Sequence, residues 1–315
     1  MITVRKELIS MLLPKNERRT INAITKKTLW LYGAPFSGKT TLANKFPDPL
    51  MLNTDGNIKF VDAPFIAIKN VVEVEGRITK TTLAWEVFKD VISELEKKQN
   101  DFKTIVVDLL EDLYEHCRLY MYEKLGISHE SDDSFRAWDK VRTEFLSTLK
   151  RLMNLDYDNI ILISHEDLSR DITKKAGEKI TAIKPNIADK LANKIAGMVD
   201  LVARVVAEDN ARTLSIKPSD VVFGGGRLSV SETEIPLEYD ALMAIYKDVN
   251  ESASVTEPVE EEKPKEDTIT QLKREAKEER AARDEEEPET IEVKAEPVEE
   301  EKPVRRTRRV RKSEE

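Results

Sequence analysis

The run Gly33-Ala34-Pro35-Phe36-Ser37-Gly38-Lys39-Thr40, followed by Thr41, has the spacing G-x-x-x-x-G-K-[ST] of a phosphate-cradling loop. Glycines let backbone N–H groups turn inward around phosphate oxygens, and the start of a following helix adds a positive dipole. Lys39 then neutralises the β and γ oxygens of a nucleotide, while Thr40 offers its hydroxyl to Mg²⁺. The cation needs a second protein oxygen. Asp108 supplies it by ending the β-favouring run Thr104-Ile105-Val106-Val107, which places a carboxylate at the C-terminal edge of a strand. The plainer reading of Asp108 is a strand-end residue capping the next helix.

Hydrolysis also requires a group that orients or deprotonates water, and two carboxylates compete for that role. Asp55 in Asn53-Thr54-Asp55-Gly56 is favoured, because Gly56 permits a sharp turn that aims it across the mouth of the loop. Glu111, one turn into the helix after Asp108, ranks second, since such a position is more often a solvated helix face. His165, in Ser164-His165-Glu166 after the apolar run 160–163, falls at the same sheet edge and can hydrogen-bond a γ-phosphate or its attacking water. A helix-capping or solvent-facing histidine is its structural alternative. Guanine specificity is disfavoured: Asn44-Lys45-Phe46-Pro47 and Asn193-Lys194-Ile195-Ala196 both lack the carboxylate of an N-K-x-D reader. The cation at Thr40 and Asp108 is read as Mg²⁺.

Positioning these residues requires an α/β fold. Apolar, β-branched runs at Thr28–Tyr32, Leu50–Asn53, Phe65–Ile68, Thr104–Asp108, Ile160–Ser164 and Leu201–Val206 alternate with helical periods at Lys39–Phe46, Thr82–Lys98 and Phe135–Leu155. That pattern predicts a mostly parallel sheet with flanking helices. Arg212–Lys217 and Arg227–Ser231, separated by Gly224-Gly225-Gly226, read as an antiparallel hairpin, and Leu237–Tyr246 as a closing helix.

The chain has 51 basic and 60 acidic residues among 315, with 40% apolar. No apolar run approaches the roughly 20 residues of a spanning helix. Arg5, Lys6 and Glu7 flank a run too short for a signal peptide, so a cytoplasmic protein without a membrane partner is expected. The single Cys117 and the scattered His116, His129 and His165 make disulfide and zinc chemistry improbable. The last 65 residues hold no aromatic residue and no glycine. Such a segment buries too little apolar surface to offset ordering its backbone. The expected organisation is an N-terminal extension over 1–27, an ATP-binding domain over 28–250 and a disordered tail over 251–315. The tail repeats EPVEEEKP at 257–264 and 296–303, and it gathers six positive charges in Arg305–Lys312.

Residues 28–246 resemble the RecA-like core, and specifically the small RecA-related ATP-binding proteins of bacteriophages, some of which are single-strand annealing recombinases. The carrying residues are the loop at 33–40, Leu52-Asn53-Thr54-Asp55-Gly56, Thr104–Asp108, Phe135-Arg136-Ala137-Trp138-Asp139-Lys140 and Ile161–Glu166. The resemblance implies a RecA-like P-loop NTPase core, ATPase activity, binding of Mg-ATP and a homo-oligomer acting on single-stranded DNA in phage recombination or replication. It places the protein in the cytoplasm of an infected or lysogenic bacterial host. The tail has no counterpart in the resemblance; recruitment of a single-strand binding protein or replication partner through it is a separate expectation. Asp55 stands where RecA-like ATPases usually carry Glu, and Gly225-Gly226-Arg227 replaces their Lys-x-Arg. A two-domain AAA+ motor fits less well, because the residues between Ser164 and the tail read as mixed strand and helix rather than a helical lid. Arg170–Lys194 holds seven basic residues against three acidic, a candidate phosphate track, though without an interleaved aromatic. The rival reading is a nucleotide-gated loader or adaptor that recruits partners through its tail and touches no DNA.

Overall fold

The central strands carry apolar side chains on both faces, so helices must cover the sheet from both sides. In the computed structural model, the described residues are 16, 24–127, 134–173, 179–208, 211–219, 221–228 and 232–255. The elements run β1 (Lys27–Gly33), α1 (Lys39–Ala43), β2 (Pro49–Asn53), β3 (Phe65–Ala67), β4 (Val71–Glu75), β5 (Ile78–Thr82), α2 (Ala84–Glu96) and β6 (Thr104–Asp108). They continue with α3 (Leu110–Leu125), α4 (Ser134–Met153), β7 (Asn159–Thr173), β8 (Lys179–Pro185), α5 (Asp189–Ala196), β9 (Leu201–Glu208), β10 (Ala211–Ser215), β11 (Gly225–Gly226), β12 (Glu234–Pro236) and α6 (Tyr239–Val255).

The main sheet has the order β12-β10-β9-β1-β7-β6-β2-β3. Its centre, from β9 to β3, is parallel. Alternation along β1 divides the core into two layers. Trp30 and Tyr32 join Trp85, Phe88, Val141 and Phe145 beneath α2, α3 and α4. Leu29 and Leu31 join Leu42, Phe46, Leu242 and Tyr246 beneath α1 and α6. Register sets the functional edge: Gly33 lies opposite His165 on one side and Val205 on the other, and Asn53 lies opposite Asp108. Because β7 is inserted between β1 and β6, His165 sits between the loop strand and the Asp108 strand.

Three expectations change. The final hairpin is built otherwise: β10 pairs antiparallel with β9 and β12, while Gly225-Gly226 pairs with Val202 and Leu201 of β9. A Cβ on Gly226 would fall 2.2 Å from the carbonyl oxygen of Asp200, so this backbone-to-backbone contact excludes a side chain. Of the expected second arm, residues 229–231 lie outside the described residues. β7 continues past Ser164 because its far half pairs with β8. The hairpin β4–β5 had no core signal to reveal it, since its Val, Glu, Thr and Lys residues are nearly all exposed.

The closing helix α6 runs on through residues 251–255. The remaining tail, with its repeat and basic end, lies outside the described residues, as does the N-terminal extension apart from residues 16 and 24–27. Among the described residues no helix is long and apolar enough to cross a membrane.

Candidate functional site

The phosphate loop leaves β1 at Gly33 and enters α1 at Lys39. A Cβ on Gly33 would lie 2.4 Å from the Val205 carbonyl oxygen, and Gly38 adopts φ +105°, a left-handed value that favours glycine. Both glycines are thus required by the path of the loop itself. Phe36, at φ 65°, is almost wholly exposed on the loop's outer side. Lys39 is buried, and its Nζ donates to the carbonyl oxygens of Gly33 (2.9 Å) and Ala34 (2.7 Å). Burial lowers the Lys39 pKa, against the opposing influence of Asp108, Glu111 and Glu166. Ser37 Oγ is buried without a hydrogen-bond partner among the described residues. A concave backbone with an unpaired hydroxyl and a buried ammonium fits a phosphate group.

Thr40 Oγ1 donates to Asp108 Oδ2 at 2.7 Å, joining α1 to the end of β6. The two expected metal ligands are therefore in contact. No group of three or more His, Cys, Asp or Glu among the described residues is arranged to hold a metal alone. A Thr–Asp pair suits Mg²⁺, which takes few protein oxygens and completes its shell with phosphate and water.

Glu111 and Asp55 exchange the surroundings expected of them. Glu111, on the first turn of α3, is buried to 12% side-chain exposure; its Oε1 accepts from the His165 backbone N (2.7 Å) and lies 3.0 Å from His165 Nδ1. Its Oε2 is buried without a partner among the described residues. Glu111 is not a solvated helix-face residue, because β7 covers that turn. Asp55 is exposed, and its Oδ1 accepts from Asn53 Nδ2 (2.7 Å) and Asn57 N (2.8 Å). Gly56 does turn the chain as expected (φ 75°), but Asn53 captures the carboxylate at the turn. Ser164 is buried and accepts from Trp30 Nε1 at 3.0 Å, while Glu166 pairs with Arg204 at 2.8 Å.

One cation at this edge escaped the sequence reading. Arg212 on β10 brings its Cδ and Nη1 to 3.6 Å from the point a Cβ on Gly38 would occupy, beside Leu237. Its guanidinium has no ion-pair partner among the described residues. The signal was a lone Arg in a strand; only the neighbouring of β10, β9 and β1 makes it informative. Arg227 lies at the opposite end of β9, donating to the Gly197 carbonyl at 2.6 Å.

Burial raises the Asp108 carboxyl to about 6, with the Thr40 hydrogen bond opposing the shift, Asp55 adding to it, Lys39 opposing and Glu111 adding. In the metal-free protein the folded chain therefore binds this proton more readily than the unfolded chain. The associated stability is fully present below about pH 4 and is lost as pH rises through about 6. Asp108→Asn removes the charge and keeps an oxygen for Thr40. It should stabilise the metal-free chain by about 3 kcal/mol at pH 7.5, with the gain vanishing below pH 4. Urea unfolding at both pH values checks this; an equal gain at each would dismiss buried charge as its source.

The family described as AAA domain matches residues 25–228, well over half of the chain. The chain belongs to this AAA domain family. The match takes in β1, the loop, Asp108, Glu111, His165 and Arg212, so the site described above lies within the AAA domain. As an AAA-type P-loop ATPase domain, it is a nucleotide-binding module. No separate helical lid follows Ser164 among the described residues; the elements there are mixed strand and helix. Similar solved structures include the flagellar accessory protein FlaH from Methanocaldococcus jannaschii, 8% identical, covering 62% of this chain and 78% of that one, with TM-score 0.30. Another is an ATPase from the type III secretion system of pathogenic bacteria, 10% identical, covering 77% of this chain and 71% of that one, with TM-score 0.39. No curated protein matches the chain.

Proposed function

We propose that this AAA domain binds Mg-ATP at residues 33–41 and uses it to act on single-stranded DNA, as a homo-oligomer of the single-strand annealing type serving phage recombination or replication in the bacterial cytoplasm. Bound Mg-ATP supplies a transferable γ-phosphoryl group and the cation that neutralises it. Lys39 holds the β and γ oxygens, Thr40 and Asp108 hold Mg²⁺, and Arg212 adds a cation from the same chain at the N-terminus of α1. Glu111 orients the attacking water, and His165 couples that carboxylate to β7. The tail beyond residue 255 recruits a single-strand binding protein or replication partner.

The observation that carries the DNA reading is the continuity of β7. One strand holds His165 at the nucleotide edge and runs on into the β7–β8 hairpin, which enters the basic segment Arg170–Lys194, with seven basic residues against three acidic. Side chains of residues 170–181 lie outside the described residues, whereas Lys184 pairs with Asp189 at 3.0 Å. Annealing of complementary oligonucleotides, with and without ATP, tests the reading. Neutralising Lys174, Lys175 and Lys179 together should weaken binding similarly for every sequence and reduce its salt dependence, because phosphate contacts release counterions without reading bases. An unchanged salt slope would remove the track from this hairpin.

The adaptor reading has one observation in its favour. Val72 and Val74 share a face of the β4–β5 hairpin with Thr79 and Thr81, and both valines are exposed, as is Ile78 on the other face. An isolated two-stranded hairpin is marginal in water, so this one suits a protein partner. Absence of DNA binding by the full chain would favour that reading.

A further inference from the structure

A cavity of about 490 Å³ opens between α3, α4 and the first turn of α5. Tyr114 of α3, Trp138 and Arg142 of α4, and Asp189 and Lys190 of α5 line it. Trp138 and Arg142 are four residues apart and so share one helix face. The Tyr114 ring meets buried Phe145 edge-on at 5.0 Å, which anchors that wall to the core. Trp30 and Trp85 are fully buried, but Trp138 is only half-buried, its large ring left open at the cavity. Arg142 is half-buried and has no hydrogen-bond or ion-pair partner among the described residues. Asp189 is offset by Lys184 at 3.0 Å, leaving the charge of Arg142 and Lys190 in excess.

A half-desolvated guanidinium is stabilised by an anion, and an open indole by another flat ring. A nucleotide unit of a single strand offers both: a base for the aromatic wall and a phosphate for the cations. We propose that this cavity receives a base of single-stranded DNA, stacked against Trp138 beside Tyr114, with Arg142 and Lys190 holding the flanking backbone. The proposal rests on the DNA reading above and gives it an address. It supplies, from α4, the aromatic group absent from Arg170–Lys194. It also lies close to the nucleotide edge, because Tyr114 is three residues beyond Glu111 on α3.

The test uses the full chain and oligo-dT, read by anisotropy of a labelled oligonucleotide and by intrinsic tryptophan fluorescence. With the other two indoles buried, quenching on binding should come from Trp138 and disappear in Trp138→Phe. Trp138→Ala should lower affinity about tenfold, and Arg142→Gln should reduce the salt slope by about one, each with ATP affinity unchanged. Unaltered DNA affinity in both Trp138→Ala and Arg142→Gln would overturn the assignment while leaving DNA binding intact, and would return the cavity to a protein partner. Failure of the unaltered chain to bind oligo-dT would overturn the DNA reading and this site together. The retained quench of a correctly folded Trp138→Phe variant would likewise overturn it.

Discussion

Lys39→Ala should reduce ATP affinity by a hundredfold or more while leaving the nucleotide-free fold in place. The ammonium is buried and satisfied by two loop carbonyls, those of Gly33 and Ala34. A bound phosphate replaces them with two charge-assisted hydrogen bonds, each about 1.5–3 kcal/mol. Losing both corresponds to roughly 3–6 kcal/mol, or about two to four powers of ten in Kd. The cost to the fold is small because the same substitution removes a charge whose burial is unfavourable, as the lowered Lys39 pKa indicates. Arg212→Ala should do less, about tenfold, since that guanidinium is exposed and screened by salt. Titration calorimetry with Mg-ATP, alongside thermal melts of the free proteins, reads both effects. Unchanged affinity in Lys39→Ala would dismiss the loop as the nucleotide site, and a larger loss in Arg212→Ala would make Arg212 the principal phosphate ligand.

What was legible in the sequence was what the chain settles locally. The loop at 33–40 is contiguous, so its glycine pattern and Lys39 announce themselves without the fold. Asp108 was legible because a strand's end fixes a side chain's edge. Strand order was not, since the insertion of β7 between β1 and β6 depends on pairing between residues more than fifty apart. The same distance hid Glu111: a helix-face position looks solvated until β7 is laid over it, and only then does its carboxylate meet His165. The surroundings of Asp55 were hidden for the converse reason. Its turn forms as its glycine requires, yet Asn53, two residues away, takes up the carboxylate. Arg212 and Trp138 belong with Glu111, as each gains meaning only from neighbours on other elements.

Glu111→Gln should lower the rate of ATP hydrolysis by about two to four powers of ten while leaving Mg-ATP binding within a few-fold, the mark of a group acting mainly in the transition state. The geometry supports this split. Glu111 commits Oε1 to the His165 backbone N, with Nδ1 close by, and leaves Oε2 buried and without a partner among the described residues, at the edge that holds Lys39 and Asp108. A glutamine keeps an oxygen for the His165 N–H, so β7 and the loop stay in register, but it cannot accept a proton from water. Asp55→Asn should change hydrolysis by no more than a few-fold: its carboxylate is exposed and serves Asn53 and Asn57, and asparagine retains an acceptor for both. Steady-state phosphate release, with KM and kcat separated, compares the two variants on equal terms. A large loss of kcat in Asp55→Asn with near-normal turnover in Glu111→Gln would reverse the assignment, placing the water between the second strand and the loop rather than between α3 and His165.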